Sequence, residues 1–221
     1  EIENKRIGSI SPILIHAVVS ILTGFSHLIS HWFYKDYGLC TSRPNHIRWT
    51  EYSITATLMT FSAFVSLGEG NILFVISIMM LGVLLQSCGW LIEKYCRLKE
   101  TDTTKIGGRE WFVWYWFFII GVVVELAIVI PLIVLTAKIE NKKDGINESL
   151  IFYTIYYFLF AVNSFYDAHV MTQATNSEFV DSNKIDKKTG KNFVLDRAFM
   201  LTDERYAVLS FTSKIALFWI T

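Results

Sequence analysis

The sequence predicts an all-α integral membrane protein, and three observations carry that prediction. Of its 221 residues, 52% are hydrophobic and only 18% charged, against about 25% charged in a typical soluble domain. The mean hydropathy is +0.40. The apolar residues fall into six long runs, and about 20 such residues cross a hydrocarbon core. The 20 Lys and Arg balance 20 Asp and Glu, so the chain has no basic excess with which to bind nucleic acid. The 3 Cys, an odd number, cannot close a disulfide framework.

The first run spans Pro12 to Phe33, with Pro at the helix start, where its missing N–H costs nothing. The second extends from near Ile47 to Leu67 and stops at Gly68-Glu69-Gly70; the third, Ile72 to Ile92, follows at once. So short a turn makes these two helices antiparallel neighbours. Trp111 to Ala137 is the fourth run, Leu150 to Thr172 the fifth and Leu201 to Thr221 the sixth. No initiator Met or signal-peptide pattern precedes the first run, and the sixth stops without a polar tail. Residues are therefore expected to be missing at both ends.

Loop charges predict the orientation. Lys35, Arg43 and Arg48 follow the first run; Lys94, Arg97, Lys99, Lys105 and Arg109 follow the third; Lys184, Lys187, Lys188, Lys191, Arg197 and Arg205 follow the fifth. These are 14 of the 20 basic residues. The opposite side has Lys5, Arg6, Lys138, Lys142 and Lys143. The positive-inside rule puts the larger group in the cytosol, so the last helix is expected to end on the extracellular or lumenal side.

Ionisable groups inside apolar runs are functional hypotheses by default, because a charge at bilayer depth costs about 2.5–3.5 kcal/mol on insertion scales. Lys214 is the sharpest case, with no acid within four residues. Desolvation favours its uncharged amine, the form that Schiff-base chemistry needs; the alternative is a structural pair with an acid on another helix. Glu51, one turn inside the second run, is the candidate anion, or else pairs with Arg48 at the interface. Side chains tilt toward their helix N-terminus, so Lys214 leans toward the level of Glu51. Ser210, four residues before Lys214, shares its face. Glu125 interrupts the fourth run near its middle, either as part of a proton or ion path or as a neutral acid bonded to a neighbouring helix. Asp167 and His169 are expected to line a wet vestibule. His27 and His31, four apart, have a spacing that can bind metal, but the chain has 5 His in all and no second box, so no metal site is expected. Cys88 and Cys96, two turns or about 12 Å apart on a helix, read with Cys40 as free thiols on the reducing side.

Two stretches together resemble a known family. Arg48-Trp49-Thr50-Glu51-Tyr52-Ser53 resembles the opening of the third helix of heliorhodopsins, the inverted branch of microbial rhodopsins. Asp203-Glu204-Arg205-Tyr206-Ala207-Val208-Leu209-Ser210, followed by Lys214 and Trp219, resembles their seventh helix. Leu159-Phe160-Ala161-Val162-Asn163-Ser164-Phe165, with Gln173 after it, is similar to their sixth. The resemblance covers nearly the whole chain. It implies a seven-helix rhodopsin-like bundle forming a single transmembrane domain over 1–221, in which the six runs are family helices two to seven and the first helix is absent. Heliorhodopsins end outside, as the loop charges predict here.

The resemblance also implies all-trans retinal on Lys214 as a protonated Schiff base, with Glu51 as counterion and Ser210 where ordinary pumps carry a second acid. It makes Tyr52, Thr55 and Met59 a wall for the polyene, sets Gly82 against the chromophore, and puts Phe160 and Asn163 on the far side. His27 matches a histidine of the cytosolic-side cavity. Where the family has a small residue and then a Pro-Trp pair, this chain has Glu125, Ala127 and Ile128; Gln86 stands where many members carry Glu. The function expected is a light receptor whose isomerising retinal drives signalling. One alternative is a light-gated proton conductor, a viral-type member using Glu51 and Glu125, with Asp167 and His27 as further path candidates. A second is a non-photoactive transporter with a Lys214–Glu51 ion pair. An enzyme is not expected, since no nucleophile and base are paired. The partners implied are retinal, the lipid bilayer, a second copy in a homodimer and an unknown signalling protein.

Overall fold

Local chemistry sets where the helices begin and end. The computed structural model describes residues 12–36, 46–97, 109–138, 146–175, 205–212 and 214. Helix α1 (Pro12–Asp36) starts on its proline, followed by α2 (His46–Ser66), α3 (Ile72–Arg97), α4 (Arg109–Lys138) and α5 (Ile146–Thr175). Residues 205–212 and 214 are helical and constitute α6; the rest of the sixth expected run lies outside the described residues. Each of the first five runs forms a helix, and α3 continues beyond Ile92 to Arg97.

The turn between α2 and α3 shows how closely sequence dictates geometry. Gly68 takes φ 82°, a left-handed conformation that costs glycine nothing. Its N–H bonds the Val65 carbonyl at 3.0 Å, and the Glu69 N–H bonds the Phe64 carbonyl at 3.1 Å, which is the Schellman arrangement for closing a helix. Asn71 then caps α3, its Oδ1 accepting the N–H groups of Leu73 at 3.1 Å and Phe74 at 3.2 Å.

The bundle carries its polarity inside out. Leu14, Ile21 and Phe25 on α1, Leu73 and Met80 on α3, and Val123 and Ile130 on α4 are exposed, whereas Arg48, Glu51, Thr55, Thr57, Thr60 and Ser62 of α2 are buried. By length and composition alone, only Ile72–Tyr95 and Val113–Lys138 among the described residues are apolar enough to cross a membrane, and α1 has a shorter apolar stretch, Leu14–Ile29. The expected apolar runs thus differ in how strongly they meet that test. The reason is visible in α2, whose polar side chains lower its average hydropathy but face the interior.

Helix α3 packs against α2, α4 and α5, and α1 lies against α2. At the end where α2 finishes, Val19, Met59, Phe64, Val75, Ile78, Val124, Ile128 and Leu132 form an apolar core. Toward the end where α2 begins, the packing turns aromatic, with Trp49, Tyr52 and Tyr206 buried together and Phe160 against them.

Candidate functional site

Lys214 and Glu51 meet in the interior. Lys214 Nζ lies 2.5 Å from Glu51 Oε1, and their side chains are 10% and 5% exposed. Two charges removed from water are tolerated only when they are paired and further hydrogen-bonded, and here they are. Thr23 of α1 donates to Glu51 Oε1 at 2.7 Å, and Thr55, one turn along α2, donates to the same oxygen at 2.9 Å. Lys214 Nζ donates in addition to Thr23 Oγ1 at 2.6 Å and to Ser210 Oγ at 2.9 Å. Three helices thus converge on one carboxylate oxygen.

A second buried pair lies one turn away, toward the start of α2. Arg48 donates to Glu93 Oε2 of α3 at 2.5 Å, and the Trp49 indole N–H donates to the same oxygen. The Arg48 guanidinium stands 4.3 Å from the centre of the Tyr206 ring, a cation–π distance. Tyr52 donates to the Tyr206 carbonyl at 2.9 Å, and the Tyr206 and Ser164 hydroxyls are 2.7 Å apart. This network ties α2, α3, α5 and α6 together. Within it Arg48 reaches Glu93, while Glu51 reaches Lys214.

Beside the first pair lies a narrow cavity of about 100 Å³. Trp49, Tyr52 and Met59 line it from α2, Phe118 from α4, Phe160 from α5, and Ser210 and Lys214 from α6. Gly89 of α3 makes room for one wall: a Cβ there would collide with the Trp49 ring.

Of the residues expected at the site, Tyr52, Thr55, Met59, Phe160, Ser210 and Lys214 line the cavity, as do Glu125 and Gln86. Gly82 does not; a Cβ on it would meet Thr57 Oγ1 at 3.2 Å, so it serves the α2–α3 contact. Asn163 is likewise absent from the lining, and its Nδ2 donates to Asp167 Oδ2 at 3.4 Å one turn along α5. Asp167 is buried rather than lining a vestibule, and His169 is stacked on Phe165. His27 is half-buried, near enough to Glu51 and Lys214 to feel their charges. The side chain of His31 lies outside the described residues, and among the described residues no His, Cys, Asp and Glu cluster fit for a metal is present. Cys88 is a buried free thiol; Cys40 and the Cys96 side chain are outside the described residues.

Sequence reasoning missed Thr23, Glu93 and Gly89. Thr23 precedes His27 by four residues and shares its face, a usable signal. Glu93 closes an apolar run beside Lys94, where an acid reads as interfacial.

An all-helical bundle in which a buried lysine opens onto an apolar cavity, with a carboxylate beside it, has the form of a rhodopsin-type retinal protein. A family model described as Heliorhodopsin matches residues 3–176, and the chain belongs to the heliorhodopsin family. Membership makes it a retinal-binding, light-sensing membrane protein rather than a conventional enzyme. A comparison with curated proteins finds no match. The family match ends before α6, so Lys214 is tied to the site by geometry.

Proposed function

We propose that the chain is a light receptor carrying all-trans retinal on Lys214 as a protonated Schiff base, with Glu51 as the counterion. The observation that carries this is the 2.5 Å approach of Lys214 Nζ to Glu51 Oε1, at a lysine that also lines the cavity. The residues fit the group: the lining is largely apolar and aromatic, and its amine is held by Thr23 and Ser210. Bound retinal supplies absorption of visible light and a double bond that isomerises. The chain's own residues do the rest. Glu51 holds positive charge on Nζ, Thr23 and Thr55 fix the carboxylate, and Tyr52 and Phe160, edge-on with ring centres 5.7 Å apart, shape the wall. Movement at Nζ breaks its contacts with Glu51, Thr23 and Ser210 and thereby loosens α6 from α1 and α2.

In this reading the six helices are family helices two to seven, the basic loops face the cytosol, and the altered bundle signals to a partner protein, with a homodimer as the assembled form. Glu51→Gln tests the counterion. Without the anion, positive charge at the nitrogen is less stabilised in the ground state than in the excited state, where it is spread along the polyene. The absorption band of the variant is expected to move to longer wavelength, and an unmoved band removes Glu51 from the role.

A second reading, light-gated proton movement, is favoured by one observation: Glu125 lines the same cavity without a hydrogen-bond partner among the described residues. Under patch clamp, wild-type protein would then give a light-evoked current reversing with the proton gradient, and Glu125→Gln is expected to abolish it. A current unchanged in the variant takes Glu125 off the path.

A further inference from the structure

Among the described residues, three buried polar atoms in the apolar half of the bundle lack a hydrogen-bond partner, and two of them belong together. His16 Nε2 and Ser62 Oγ are both buried and unbonded, in residues 5% and 2% exposed. Leaving such a group unsatisfied forfeits its hydration without return, and lipid supplies no hydrogen bonds from outside. The usual solution is an ordered water with two to four polar partners.

Helix geometry puts these two atoms on one line with the buried ion pair. His16 precedes Thr23 by seven residues, two turns of α1, and so shares the face that Thr23 presents to Glu51. Ser62 follows Glu51 by eleven residues, three turns of α2, on the face of Glu51 and Thr55. Helices α1 and α2 pack together and run in opposite directions, so both faces look into one seam. Measured from Glu51 along the axis, Thr55 lies at about 6 Å, His16 at about 10 Å and Ser62 at about 16 Å. Each step is short enough for one or two waters to bridge. The third of these atoms, Thr57 Oγ1 on α2, faces Gly82 of α3 and is not part of this line.

We propose that the α1–α2 seam holds a file of ordered waters, bound by His16 Nε2 and Ser62 Oγ and continuing through Thr55 to Glu51. The file gives protons at the Lys214–Glu51 pair a route to the end of the bundle where α1 begins and α2 ends. For each proton leaving Glu51 into the first water, one leaves the last water at the Ser62 end, and the hydroxyls and the imidazole return to their starting state. The role of the route rests on the reading of Glu51 as counterion; the presence of the waters does not.

The test has two readouts on the full chain in lipid nanodiscs. A structure fine enough to place single waters is expected to show one within hydrogen-bond distance of His16 Nε2 and another at Ser62 Oγ, and a dry seam overturns the proposal whether or not a pigment forms. In the pigment, exchange of the Lys214 N–H proton for deuterium is read from the vibrational band of the chromophore linkage. His16→Phe, which fills the space and removes the polar atom, is expected to slow it about tenfold, the effect of losing one hydrogen bond's worth of free energy. Ser62→Ala, the milder variant, is expected to slow it in the same direction. An unmoved visible band in both shows an intact site, and unchanged exchange in both overturns the route. A colourless wild type would sink the chromophore reading instead, and the water positions would still decide the file.

Discussion

Lys214→Ala is expected to yield a protein that stays colourless with retinal supplied, while the wild type takes on a visible band. The substitution removes the amine at the cavity and leaves Glu51 buried with Thr23 and Thr55 as donors but no cation. Breaking a buried pair from one side typically destabilises by about 3–5 kcal/mol, so loss of colour in this variant alone could reflect loss of the fold. Lys214→Arg separates the two effects. A guanidinium keeps the positive charge and can still donate to Glu51, Thr23 and Ser210, yet it forms no imine. That variant is expected to melt much closer to the wild type in a thermal unfolding experiment and to be equally colourless. A visible band in either variant places the attachment elsewhere and removes the basis of the proposed function.

The contrast between what the sequence disclosed and what it hid follows from the range of each interaction. Lys214 and Glu51 stand out because a charge in an apolar run is costly and its neighbours offer no partner, and Ser210 follows from the four-residue spacing on one helix. Pairings that span helices leave no such mark. Glu93 lies 45 residues from Arg48 and Thr23 lies 191 from Lys214, and the spacing of Thr23 from His27 marks a shared face without naming the partner across it. Glycines of α3 illustrate a finer limit. Gly82 and Gly89 are two turns apart and share a face, so periodicity cannot say which one borders the cavity. The antiparallel register decides: Gly82 meets Thr57 and Gly89 meets Trp49, and only Gly89 and Trp49 line the cavity. The turn at Gly68, by contrast, was legible because its chemistry is confined to a few consecutive residues.

Glu93→Ala is expected to have the second-largest effect, on stability rather than on colour. It removes from the buried Arg48 the carboxylate 2.5 Å away and from the Trp49 indole an acceptor, in residues that are 8% and 7% exposed. By the same rule for broken buried pairs, the loss is about 3–5 kcal/mol. Glu93→Gln is expected to lose less, because the amide oxygen can still accept from Trp49 while only the charge is gone. The visible band is expected to survive in any fraction that folds, since Glu93 touches neither Lys214 nor Glu51. The network explanation makes a sharper demand on the pair. If the penalty arises from an uncompensated guanidinium, removing that group as well should recover part of it, so Arg48→Leu combined with Glu93→Ala should melt above Glu93→Ala alone. Groups in direct contact couple by about 0.5–3 kcal/mol in such cycles. Were the double variant to fall by the sum of the two single losses, the ion pair would contribute no coupling of its own. The tie between α2 and α3 would then rest on the packing of Trp49 against Gly89.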